Sequence, residues 1–139
     1  MAFPVDPDTI THGIQLAVAP VFLLTAVAAM IGAVAGRLAR IIDRARTVED
    51  RVRHSEDPEV VEPAIAELRS LRQRGRLANG CIALLTTTAM LIGLTVILLF
   101  LGETTEFQSG RWAVAGFLSA LVCFLLALVC FLAETVIAT

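Results

Sequence analysis

The sequence predicts an all-α membrane protein with three transmembrane helices and a cytoplasmic antiparallel helical hairpin extending helices 1 and 2. Three observations predict it. Of 139 residues, 57% are hydrophobic and 17% charged, and the apolar ones gather in three stretches free of Asp, Glu, Lys and Arg: Ile14 to Gly36, Cys81 to Leu101 and Trp112 to Ala133. Ten of the eleven Arg fall between Arg37 and Arg76, and there is no Lys. The polar connection at 37–78 keeps a helical rhythm of apolar residues at three- and four-residue steps. A mean hydropathy of +0.80 excludes disorder and an ordinary soluble globule. The formal net charge is only -2, so no global basic surplus points to nucleic acid.

The first element is a span at 14–36. A hydrocarbon core of about 30 Å needs roughly 20 helical residues, which this stretch supplies. The preceding MAFPVDPDTITH is acidic and the basic cluster follows the span, the reverse of a signal peptide. Pro20 removes a backbone hydrogen bond inside the span and favours a bend, either a tolerated one or a hinge. The spans at 79–101 and 112–135 are likewise punctuated by small residues and Thr rather than by the alternation of a barrel strand. The second connection, Gly102 to Arg111, carries Glu103, Glu106 and one Arg. Positive-inside therefore puts 37–78 in the cytoplasm, the N-terminus outside and the C-terminus inside. Residues 1–139 read as a single membrane domain.

Leu38, Ile41, Ile42, Ala45, Val48 and Val52 form one apolar stripe that continues the first span. One helix is expected from about Thr11 to Arg53, roughly 60 Å at 1.5 Å per residue. A turn follows at His54 to Pro58, where Asp57 can cap a second helix with Pro58 at its first position; Pro63 is expected to kink or restart it. From Ala64, a stripe of Ile65, Leu68 and Leu71 runs into the second span, with Arg69, Arg72 and Arg76 on another face. Residues 37–46 hold four Arg against one Asp, residues 47–67 two Arg against seven acids, and residues 68–76 four Arg. The result is a basic collar at the membrane and an acidic tip of Glu49, Asp50, Glu56, Asp57 and Glu59. That pattern suits a hairpin standing off an anionic leaflet. Arms lying flat would be basic along their whole length. Glu49 with Arg53, and Arg40 with Asp43, are spaced for surface pairs on the helices.

The junction Gly36-Arg37-Leu38-Ala39-Arg40-Ile41-Ile42-Asp43-Arg44-Ala45-Arg46 follows a span that begins Gln15-Leu16-Ala17-Val18-Ala19-Pro20. Both segments resemble a family of small bacterial inner-membrane proteins known as a domain of unknown function, most densely over residues 14–46. The resemblance implies a multi-pass protein of the bacterial inner membrane. It brings no activity, cofactor or catalytic residue.

In the third span Ala113, Gly116, Ala120, Cys123, Ala127 and Cys130 make an unbroken seam of small residues, which lets helix backbones approach closely in lipid. The next step of that rhythm is Glu134. A carboxylate on the packed side needs a partner, and the first span ends at the same depth with Arg37 and Arg40, the expected ion-pair partners. A second small series, Ala28, Gly32 and Gly36, points to a homo-oligomer. The second span carries Asn79 and Thr86 on one face and Thr88 and Thr95 on another, candidate lining of a water-filled path unless the Thr hydroxyls bond back to their own helix.

Cys81, Cys123 and Cys130, an odd number with no CxxC, read as buried small hydrophobes. His12 with Asp6 and Asp8 reads as solvated rather than metal-binding. No phosphate loop, HExxH or activated nucleophile is present, so neither a cofactor nor an enzymatic activity is expected. Two classes remain: a homo-oligomer forming an ion-conducting pore, or a membrane scaffold or regulatory subunit that docks onto another protein through its charged hairpin. The lipid bilayer is a partner in both.

Overall fold

The computed structural model describes residues 7–104 and 110–138, all of them helical except a turn at residues 54–57. The elements are α1 (Pro7–Arg53), α2 (Pro58–Thr104) and α3 (Gly110–Ala138). All three are long and apolar enough to cross a membrane. Within its most apolar stretch α3 is only 11% buried, so most of its apolar surface faces outward, as lipid contact requires. Most of the second connection, at 105–109, lies outside the described residues, as does Asp6.

The ends of α1 and α2 follow from local chemistry. Arg51 and Arg53 occupy the last turn of α1, opposite in sign to the partial charge of a helix C-terminus. Asp57 caps α2: its Oδ1 accepts from Glu59 N at 3.0 Å and its carbonyl accepts from Val61 N at 3.0 Å, with Pro58 at the first helical position. Contrary to the expected break, α2 runs on through Pro63. Pro63 forfeits one bond, to the carbonyl of Glu59, which lies in the exposed first turn where water can reach it.

Buried positions recur every seven residues along each helix: Val27, Val34, Ile41 and Val48 on α1; Ala64, Leu71, Ala78, Leu85 and Ile92 on α2; Ala113, Ala120, Ala127 and Glu134 on α3. A seven-residue period is the mark of coiled-coil seams, where side chains of one helix fill holes on the next.

The chain divides into two compact units. One comprises Met1–Met30 with Leu85–Leu125, the other Ile31–Leu84 with Leu126–Thr139. In the first, Ala17, Val27, Leu85, Thr88, Ile92, Thr95, Ala113 and Ala120 are buried. Here α2 and α3 approach closely: a Cβ added to Gly116 would stand 2.8 Å from Thr95 Oγ1. In the second, Ile41 and Val48 of α1 pack with Ala64 and Leu71 of α2, flanked by Ala45, Val52 and Leu68. Two residues of the expected stripes turn outward instead, Ile42 at 43% and Ile65 at 48% exposure. The inward places are taken by their neighbours Ile41 and Ala64, which keep the seven-residue step.

Candidate functional site

The seam that runs along α3 ends on a charge. Glu134 follows Ala127 by seven residues and is 2% exposed. Opposite it, Arg37 stands three residues after the buried Val34, and Arg74 stands between the buried Leu71 and Ala78. Both arginines therefore sit on the inward faces of their helices. Arg37 Nη2 lies 3.0 Å from Glu134 Oε2. Arg74 donates from Nε and from Nη2 to Oε1, each at 3.2 Å. Each carboxylate oxygen is thus held by a guanidinium from a different helix.

Two further contacts fix Arg37. Its Nη1 donates to Thr135 Oγ1 at 2.9 Å, and Thr135 in turn donates to the Phe131 carbonyl at 2.9 Å. Its guanidinium carbon lies 5.1 Å from the centre of the Phe131 ring, within cation–π range. Three helices are tied at one level by charge-assisted bonds, the strongest non-covalent kind available to side chains. A buried carboxylate would be costly alone, and here it is fully engaged. Two turns of α3 before Glu134 the Ala127 carbonyl accepts from Cys81 Sγ at 3.2 Å, continuing the contact between α2 and α3.

Of the partners expected for Glu134, Arg37 makes the bond and Arg40 does not. Arg40 is exposed and forms no ion pair among the described residues; the second guanidinium is that of Arg74. The surface pairs Glu49 with Arg53 and Arg40 with Asp43 do not form either. Instead, Arg44 Nε donates across to Glu67 Oε1 at 2.6 Å, joining α1 to α2. The local pairings fail because an interhelical partner is available to the inward-facing charges and water to the outward-facing ones.

Arg37, Arg40, Arg44 and Arg74 line one groove, with Ile41 and Leu71 at its base. Thr88 and Thr95 are buried within the chain, and Thr95 donates to the Leu91 carbonyl at 2.8 Å. Neither side chain is on the outer surface of the chain. Asn79 and Thr86 are exposed. On α3, Ala120 and Ala127 are fully buried while Gly116 and Cys123 are half-buried. The acidic residues Glu49, Asp50, Glu56, Asp57 and Glu59 are all exposed. Among the described residues no group of three His, Cys, Asp or Glu could share a metal ion.

The model of the family described as Protein of unknown function (DUF2721) matches residues 17–139. The chain belongs to that family. The DUF2721 match takes in α1 from residue 17 onward, all of α2 and α3, and every residue of the Glu134 clamp. No significant match exists among curated proteins or among solved structures. With three helices capable of crossing a bilayer, this DUF2721 chain is a multi-pass membrane protein.

Proposed function

We propose that the protein is a homo-oligomer of the bacterial inner membrane whose subunits surround an ion-conducting path. α1 and α2 would extend into the cytoplasm as an antiparallel hairpin. The observation that carries the oligomer is the outward position of the first span's small residues. Ala28, Gly32 and Gly36 are exposed, and a Cβ at either glycine would meet nothing within 4 Å. Small residues at four-residue spacing are what a second helix needs for close approach in lipid, and the chain's own packing leaves them unused. The antiparallel arrangement is supported by residue pairing: Arg44 meets Glu67, and a Cβ added to Gly75 would stand 3.8 Å from Ile41, so lower numbers on α1 pair with higher ones on α2.

A path between subunits would be lined from outward faces, which leaves Asn79 and Thr86 as its polar contributors. The exposed acids at the hairpin tip would raise cation concentration at the inner mouth. No catalytic residue and no cofactor enters this reading. The scaffold alternative is favoured by a second observation. Ile65, 48% exposed, lies in a groove on α2 with Val61, Glu62 and Arg69, an amphipathic surface beyond the apolar span.

Subunit counting by mass in detergent, with and without Gly32→Leu, and cation flux into vesicles reconstituted with the protein separate these readings. A ring of several copies that falls apart in Gly32→Leu, with flux that declines when Glu49, Asp50, Glu56, Asp57 and Glu59 are neutralised, is expected. A monomer, or an oligomer that passes no ions, overturns the pore.

A further inference from the structure

Four guanidiniums share the groove of Arg37, Arg40, Arg44 and Arg74, and only part of their charge is spent inside the protein. Glu134 binds Arg37 and Arg74, and Glu67 binds Arg44. Two acids against four bases leave two positive charges in excess. Arg40 is exposed and forms no ion pair among the described residues. The groove lies where the apolar span ends. Arg37 immediately follows Gly36, and Arg40 is three residues further, roughly 5 Å along the helix axis. That is the depth of the headgroup layer, which adds about 5–8 Å to each side of the hydrocarbon core. The base is apolar, formed by Ile41 at 5% and Leu71 at 6% exposure.

We infer that this groove binds the phosphate of an anionic phospholipid headgroup, with Arg40 as the free guanidinium that engages it and Arg37, Arg44 and Arg74 as the surrounding positive field. A guanidinium presents paired N–H donors that match two phosphate oxygens, and it is less strongly hydrated than an ammonium. Basic grooves between helices at the membrane boundary are suited to anionic headgroups. A soluble phosphate would meet the same donors, but only the lipid has acyl chains that lie along the outward apolar faces of α1 and α2. The inference rests on the membrane reading for the lipid's position, and anion capture itself can be read in detergent, whatever the orientation.

The test is native mass spectrometry of the detergent-purified full chain. Dioleoyl phosphatidylglycerol or dioleoyl phosphatidylcholine is titrated in, and adducts per subunit are counted. Wild type is expected to retain phosphatidylglycerol preferentially. Arg40→Gln should weaken that binding about tenfold, the loss of one charge-assisted contact, and Arg40→Lys should recover part of it. Arg72→Gln, an equal change of charge on an exposed residue outside the groove, should stay within about twofold, as surface changes away from a site do. Equal losses in Arg40→Gln and Arg72→Gln would mean diffuse surface attraction and overturn the site. So would equal binding of the two lipids. Displacement of the lipid by millimolar inorganic phosphate would overturn the lipid assignment in favour of a soluble anion. The same spectra report subunit number, so a monomer that still selects phosphatidylglycerol through Arg40 defeats the oligomer and leaves the groove standing.

Discussion

Glu134 occupies a place that Ala113, Ala120 and Ala127 fill elsewhere along α3, and its carboxylate is kept there by Arg37 and Arg74 at 3.0 and 3.2 Å. Glu134→Gln removes the charge and leaves two guanidiniums facing one another. It should destabilise the fold by about 1.5–3 kcal/mol, the worth of charged hydrogen bonds. Arg37→Gln and Arg74→Gln should each cost a similar amount, and either one added to Glu134→Gln should cost much less than it does alone, because partners in one network are not additive. Arg40→Gln should leave stability within about 0.5 kcal/mol. Thermal unfolding in detergent checks the series; additive losses, or a loss in Arg40→Gln as large as in Arg74→Gln, would contradict the clamp. Glu134 and Arg37 were legible in the sequence because the seam of small residues on α3 pointed to one and the end of the first span to the other. Arg74 was missed, although Leu71, Arg74 and Ala78 keep the same three-and-four rhythm that singles out Glu134. Ten arginines crowd into forty residues, and only their register against the buried positions separates half-buried Arg37 and Arg74 from the exposed ones.

At the scale of the helices, the seven-residue recurrence of buried positions explains both what was readable and what was not. Three long apolar helices and the cap at Asp57 are local matters of hydropathy and turn chemistry, and the sequence carries them in full. Which face turns inward is a subtler signal when Ala, Cys and Thr share the buried positions with Val, Ile and Leu. Ile65 draws the eye by its hydropathy, yet Ala64 beside it is the buried residue at 6% exposure, because Ala64 keeps the seven-residue step to Leu71 and Ala78. The Gly116 contact with Thr95 is the sharpest case. Gly116→Ala would put a methyl 2.8 Å from a hydroxyl that is already bonded to the Leu91 carbonyl on a β-branched side chain with little room to rotate. Either α2 and α3 separate or the Thr95 bond breaks, at about 1–3 kcal/mol. Gly32→Ala on α1, with nothing within 4 Å, should leave the melting of the isolated subunit unchanged or raise it. Differential scanning of the two variants side by side checks the contrast, and a Gly116→Ala protein as stable as wild type would mean that the two helices are not held at this distance.

For the molecule as a whole, the distribution of charge matters more than its total of -2. The residues that flank the apolar spans on the α1–α2 connection are arginine-rich, while the acids concentrate at its middle, around the turn at 54–57. Under the proposed threading this places basic side chains at the cytoplasmic headgroups and holds the acids away from them, so both parts of the connection sit favourably against an anionic leaflet. The opposite threading would carry ten arginines across the bilayer during insertion, against the bias that orients most multi-pass chains. Single-cysteine variants in a background with Cys81, Cys123 and Cys130 replaced by Ala distinguish the two. Glu56→Cys in the turn should resist a membrane-impermeant maleimide in intact bacteria and react once the inner membrane is opened. Asp8→Cys, at the exposed start of α1, should react as soon as the outer membrane is permeabilised. The reverse pattern would invert the threading. It would also move the arginine groove to the outer leaflet and set the acidic turn facing out, where it could no longer enrich cations at a cytoplasmic mouth. Labelling of both sites in intact cells would mean two orientations in one membrane, which a bias of ten arginines to one should not permit.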